Sequence, residues 1–131
     1  LRDAQESRGL GDVYKRQMWA GELRMSRVLH DLYLKIKERK QASPSASYSA
    51  MLFERGTDHI CQKVGEEAVE TVISALRGTK RELVGESADL IYHLLVLWAD
   101  AEVEPDNVWD ELRRRENQSG LEEKLQRDDN N

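Results

Sequence analysis

Two acidic residues, Glu86 and Asp89, stand inside the most apolar stretch of the chain, and that placement limits the possible folds more than any other feature. Around them Leu83, Val84, Ala88, Leu90, Ile91 and the run from Leu94 to Trp98 point apolar side chains in nearly every direction from a helix. Such a helix is expected to be buried on most sides. At about 100° per residue, Glu86 and Asp89 fall about 60° apart on one strip, with His93 between them one turn on and Leu97 continuing it. Burying carboxylates without partners costs on the order of several kcal/mol each, so they must be protonated, paired or bound to a cation. No Lys or Arg occurs between Arg81 and Arg113. The compensating charge therefore comes from another element or from an ion.

The preceding helix carries the complementary feature. With Lys63 set at zero, Glu66, Glu67, Glu70 and Ser74 lie within about 60° of it on a helical wheel, while Val64, Ala68, Val72, Ala75 and Leu76 take the opposite side. Taken alone this is an ordinary amphipathic helix with a solvated acidic stripe. The short Gly78-Thr79 connection changes that reading, because it favours antiparallel packing of the two helices and brings four or five carboxylates into one cleft. Such crowding is strongly repulsive unless a divalent ion fills it, and hard oxygen ligands select magnesium, or manganese, over zinc. His93 is read as a hydrogen-bonded core residue rather than a ligand.

The rest of the chain reads as helices and turns. A first helix starts after Ser26 as N-cap and carries Val28, Leu29, Leu32, Tyr33 and Ile36 to near Gln41. A Pro44 turn rich in serine follows, and then a short helix from Tyr48 to Arg55 closed by Gly56. Thr57 or Asp58 is expected to cap the long acidic helix, and Gly78 to end it as a C′ residue. Thr79 opens the next helix, to about Ala101, and Pro105 starts a last one carrying Val108, Trp109 and Leu112, with Asn117 to Gly120 breaking the pattern. No segment alternates with period two, so the fold class is all-α, an antiparallel helical bundle. Residues 1–17 show no periodicity and are read as an extension foreign to a single domain spanning 18–127, with Met18 or Met25 as its natural start. The polar residues from Gln126, and 128–131 in particular, are read as a frayed tail.

Composition narrows the function classes. Twenty Lys and Arg against 25 Asp and Glu give a net charge of -5, which argues against nucleic acid as a partner. The single cysteine, Cys61, can form neither an internal disulfide nor a zinc site by itself, which suits a reducing cytoplasm; it is read as a small core residue. The apolar run from Leu90 to Ala99 falls well short of the roughly 20 residues a membrane helix needs. A helix apolar nearly all round, in so short a chain, has more surface to bury than its own neighbours can cover, so a homodimer is expected.

Glu-Glu-x-x-Glu at 66–70, followed after fifteen residues by Glu-x-x-Asp at 86–89, resembles the signature of the all-alpha nucleoside-triphosphate pyrophosphatase superfamily. The longer strings Lys63-Val64-Gly65-Glu66-Glu67-Ala68-Val69-Glu70 and Gly85-Glu86-Ser87-Ala88-Asp89-Leu90-Ile91-Tyr92-His93 are similar to the phosphoribosyl-ATP pyrophosphohydrolases of histidine biosynthesis. The similarity runs from Leu29 to Arg127 and includes Gly56-Thr57-Asp58 and Ser119-Gly120-Leu121-Glu122-Glu123-Lys124. The resemblance implies hydrolysis of the α–β phosphoanhydride of phosphoribosyl-ATP to phosphoribosyl-AMP and pyrophosphate. It also implies Glu67, Glu70, Glu86 and Asp89 as magnesium ligands, and Glu66, Glu67 and Glu70 as the catalytic acids. Lys63, His59, Arg114 and Arg115 would be the substrate contacts.

Two positions depart from the family pattern: His59 stands where a lysine is usual, and Asn117 where a glycine is usual. The carboxylates fix the reaction and not the base, so a house-cleaning pyrophosphatase acting on (d)NTPs remains an alternative. A non-catalytic helical dimerisation module holding a structural ion is another.

Overall fold

The computed structural model describes residues 27–116, 118 and 120–130, and every regular element among them is a helix. The expectations for residues 1–17, for Met18 and Met25 and for Ser26 as a cap lie outside the described residues. Helix α1 covers 27–39. Then come α2 (Tyr48–Arg55), α3 (Thr57–Arg77), α4 (Lys80–Asp100), α5 (Pro105–Glu116) and α6 (Gly120–Asp129).

The α3–α4 hairpin is the frame. Three cross-links establish that the two 21-residue helices run antiparallel. Thr57 at the start of α3 donates to Asp100 at the end of α4, 2.6 Å away. Thr71 reaches the backbone of Glu86, and Glu67 lies beside Asp89. The hairpin turns on Gly78 and Thr79. The Thr79 side chain accepts from the Glu82 amide and caps α4, the role its sequence position predicts.

Gly78 ends α3, but not as a left-handed C′ residue: its φ is -98°. Glycine is required there for space. A Cβ at this position would stand 2.6 Å from Glu82 Oε2, 2.9 Å from the Ser74 carbonyl oxygen and 3.1 Å from Ser74 Cα. Gly56 is the residue that needs glycine's backbone freedom, with φ at 95°. Its N–H closes α2 on Leu52 O at 3.2 Å, and its own carbonyl accepts from Ile60 N at 3.1 Å in the first turn of α3. The expected cap at Thr57 or Asp58 is thus displaced by one position. One glycine both stops α2 and starts α3, and Asp58 falls in the first turn, where its charge suits the positive end of the helix.

The buried core joins Tyr33 and Ile36 of α1, Leu52 of α2, Ile60 of α3 and Leu95, Val96 and Ala99 of α4. It lies wholly at the end of the hairpin where α3 begins and α4 ends. The Tyr33 hydroxyl donates to Val103 O at 2.8 Å and Lys40 Nζ donates to Ala99 O at 2.6 Å, tying α1 to the end of α4. Trp98 and Trp109 meet edge to face at 5.9 Å and hold α5 against α4, as packing residues.

The expectation that α4 is buried on most sides holds only for this end. At the closed end of the hairpin Val84 is 70% exposed and, on α3, Leu76 is 78% exposed, with Val69, Val72 and Ile73 also open. The reason is coverage: α1 and α2 pack at the other end, and no further element of the described chain lies over this one. Two further differences follow from which way residues face. Cys61 is exposed, not a core residue, because its neighbour Ile60 takes the inward position. The residues from Gln126 to Asp129 belong to α6 rather than to a frayed tail; α6 was not foreseen because its mean hydropathy is low and its apolar positions are few.

Replacing Gly78 with alanine is expected to destabilise the chain by about 1–3 kcal/mol, because the Ser74 carbonyl is backbone and cannot give way as a side chain can. A thermal melt within experimental error of the parent's would show that the turn relaxes freely.

Candidate metal and phosphate site

The hairpin brings acids from both helices to one place. One carboxylate oxygen each of Glu67, Glu86 and Asp89 lies within 4.8 Å of the others. Glu67 and Glu86 are half-buried and Asp89 is exposed, so the trio opens to solvent on the Asp89 side. Register is set by Thr71, whose hydroxyl sits 2.7 Å from Glu67 O and 3.2 Å from Glu86 O and donates between the two helices at the level of the acids. Its role was invisible in the sequence, where a threonine on a helix is unremarkable until the partner backbone is known.

The electrostatics of the trio are those of crowded anions. Partial removal from water holds the Glu86 carboxyl above the usual carboxylate range. The charges of Glu67, Asp89 and Glu70 push it further, as does a hydrogen bond shared with Glu67. Glu70 therefore acts on the trio through its field but stands outside the close set of oxygens. Glu66 is also outside it. Gln62 donates to Glu66 at 2.9 Å and Lys63 at 3.1 Å. These two hydrogen bonds, then the charges of Lys63 and His59, hold its carboxyl below the usual range. Lys63 reaches Glu67 as well, at 3.7 Å, so α3 supplies one cation at the edge of the cleft.

Of the other expected contacts, His59 lies close enough to Glu66 to favour its anion. Arg114 and Arg115 sit on α5, where both close on Glu111 at 2.7 and 2.9 Å and hold its carboxyl down to about 2. Both of these ion pairs lie on their own helix, α5.

Behind Asp89 lies a hydrogen-bonded layer that the sequence did not announce. His93 is buried, and its Nδ1 is 2.7 Å from Asp89 O. A carbonyl only accepts, so Nδ1 carries a proton, and in the neutral imidazole Nε2 accepts from the Tyr48 hydroxyl at 3.0 Å. The reading of His93 as a bonded core residue holds. Tyr92 joins the layer through Ser49 Oγ and packs edge to face on His93 at 5.2 Å. Forty-five residues separate Tyr48 from His93, too far for any local pattern to pair them.

The donor set fits a small divalent cation. Ligands about 2.1 Å from one ion lie at most about 4.2 Å apart, so the three oxygens need only small side-chain rotations to share it. All the donors are hard carboxylate oxygens, with neither a thiolate nor an imidazole among the three.

Because the folded-state pKa of Glu86 lies above its unfolded value, its stabilising proton is fully in place below the unfolded value, about 4.3. That contribution is lost as pH rises through the folded value. In chelator, Glu86→Gln is accordingly expected to melt above the parent at neutral pH, with the two converging as the solution is acidified. Parallel melting curves across that range would show that the trio carries no net repulsion.

The phosphoribosyl-ATP pyrophosphohydrolase family model matches residues 29–116, which contain every acid described above. A phosphoribosyl-ATP pyrophosphatase of Azospirillum brasilense is 60% identical over 97 residues, covering 74% of this chain and 87% of that protein. That of Paramagnetospirillum magneticum is 59% identical over 102 residues, 78% of this chain and 94% of the relative. One from Gluconobacter oxydans is 51% identical over 106 residues, 81% and 80% of the two chains. With two acidic helices in register and matches of this extent, the chain belongs to the phosphoribosyl-ATP pyrophosphohydrolase family.

Proposed function

We propose that this chain hydrolyses phosphoribosyl-ATP at its α–β phosphoanhydride, giving phosphoribosyl-AMP and pyrophosphate in histidine biosynthesis. The convergence of Glu67, Glu86 and Asp89 from two helices, in a chain of this family, carries the reading. Those three residues would hold Mg²⁺, or Mn²⁺, with Glu70 as a fourth ligand. The ion, when bound, neutralises polyphosphate charge and acidifies water.

The chain's own groups divide the remaining work. Lys63 stands between Glu66 and Glu67 at the rim, where its ammonium meets the incoming polyphosphate as a point charge. Glu66 and Gln62 fix that rim, and His59 adds polarity beside it. Water adds to phosphorus at the α–β bridge, the bridging P–O bond breaks, and pyrophosphate leaves with the bridging oxygen. The proton released by the water passes to a carboxylate of the cluster. Arg114 and Arg115, half-exposed on α5, would contact the substrate with the guanidinium donors that Glu111 does not take.

The working assembly is a homodimer. Its support is the open apolar face of Val69, Val72, Ile73 and Leu76 on α3, continued by Val84 on α4: a contiguous face of this kind on a small chain marks an interaction surface. Among the described residues no helix is long and apolar enough to cross a membrane; the cytoplasmic location belongs to the proposal and rests on the single cysteine, which suits a reducing compartment.

Purified chain with Mg²⁺ is expected to release pyrophosphate, not orthophosphate, from phosphoribosyl-ATP, and to prefer it to dNTPs. Asp89→Asn should lower turnover by orders of magnitude while remaining at least as stable as the parent in chelator. Near-normal turnover in that variant would refute the ligand assignment, and a preference for dNTPs would reassign the substrate. For the assembly, Leu76→Asp is expected to convert a dimer to monomer in sedimentation; a parent chain that is monomeric at micromolar concentration would refute it.

A further inference from the structure

Beside Tyr48 and Tyr92, α1 and the start of α2 border an open hollow of about 300 Å³. Its floor is apolar, formed by Leu32 and Ile36, and its rim carries Lys35 and Arg39, one turn apart on α1. Among the described residues no carboxylate lines it, and neither Lys35 nor Arg39 has an ion-pair partner there. In a chain of net charge -5 with 25 acids, two unpaired cations facing one hollow form a concentrated positive site. Ser47, Tyr48 and Ser49 bring the N-cap and first turn of α2 to the same wall. The amides of Tyr48 and Ser49 belong to the turn whose N–H groups have no intrahelical acceptor, and Ser47 Oγ already takes that of Ala50.

The polarity of the two sites is opposite and their walls are shared. Tyr48 and Tyr92 line the cavity, and the Tyr48 hydroxyl bonds His93, which bonds the backbone of Asp89. An acid cluster that takes a polyphosphate through a cation and a basic hollow that takes an anion directly are therefore linked through Tyr48 and His93. The substrate assigned above has this double-ended form: a triphosphate at one end of the adenine nucleotide and a ribose 5-phosphate on the base at the other.

Resting on that substrate assignment, we propose that the cavity is a phosphomonoester subsite. In it Lys35, Arg39 and the first turn of α2 hold the 5′-phosphate of the second ribose. A volume at the low end of the about 300–1,000 Å³ typical of small-molecule sites suits a sugar phosphate. Arg39 supplies a planar pair of donors, Lys35 a mobile charge. The subsite gives the chain its means of telling phosphoribosyl-ATP from an ordinary nucleoside triphosphate, which carries nothing at that end.

The test is steady-state kinetics on Lys35→Ala, Arg39→Ala and the double variant, with Mg²⁺-induced thermal stabilisation measured in parallel to show the acid cleft intact. The double variant is expected to raise KM for phosphoribosyl-ATP at least tenfold with kcat within about threefold, as for a contact kept from ground state to transition state; Arg39→Lys should recover part of the loss. Ribose 5-phosphate should inhibit the parent competitively and the double variant far less, whereas ribose should not inhibit. Inorganic phosphate inhibiting as well as ribose 5-phosphate would assign the cavity to free phosphate and overturn the substrate subsite. A parent that turns over phosphoribosyl-ATP while the double variant keeps kcat/KM within twofold overturns the subsite and leaves the reaction standing. A parent that releases no pyrophosphate overturns the reaction instead. The cavity is then judged by calorimetry with ribose 5-phosphate: binding lost in the double variant upholds a phosphomonoester site, and equal or absent binding removes it.

Discussion

Repulsion among carboxylates is the constraint around which the hairpin is organised. Three acid oxygens within 4.8 Å of one another would drive two helices apart if nothing else fixed their register. The fixing elements are distributed along the whole hairpin. Gly78 permits the close turn, Thr79 caps the returning helix, Thr71 ties the backbones at the level of the acids, and Thr57 closes the far end on Asp100. None of these contacts is strong alone, a neutral hydrogen bond contributing about 1 kcal/mol. Their value is that each makes the same register, so the anions meet where a cation can use them rather than sliding out of phase.

The core is placed to support that register without covering it. All the fully buried side chains lie at one end of the hairpin, beneath α1 and α2, and the acids stand where this packing gives out. That division leaves the cleft open to a ligand, but it also leaves Val69, Val72, Ile73, Leu76 and Val84 uncovered. Among the described residues, the same absence of a third layer thus explains both the accessibility of the acids and the apolar face proposed for the partner copy.

What the sequence made legible was what repeats locally. Helical arithmetic put Glu67 and Glu70 on one face and Glu86 and Asp89 on another, and the two-residue Gly78-Thr79 connection made those faces meet. Arithmetic could not separate the close trio from Glu66 and Glu70, because that depends on rotation of α3 about its axis by a few tens of degrees and on Lys63 drawing Glu66 to the rim. It misjudged α4 because apolar side chains on every side of a helix say that burial is needed and not which chain provides it. Cys61 failed for the converse reason: residue type carries an average preference, while Ile60 beside it had the stronger claim to the inward position. Gly56 was read as a stop only, since a single residue acting for two helices leaves no separate signal for the second.

The contacts least visible in the sequence are those joining α2 to α4, and they alter how Asp89 should be regarded. A carboxylate on an exposed stretch of helix would ordinarily owe its position to its own helix alone. Here the Asp89 carbonyl also accepts from a buried histidine whose other nitrogen is occupied by Tyr48. Rotating the end of α2 would unseat His93 before it disturbed any acid, and stretching α4 at Asp89 would be felt at Tyr48. Since Tyr48 is at once a wall of the basic cavity and the far end of this chain of bonds, the two oppositely charged sites share a mechanical element as well as a boundary.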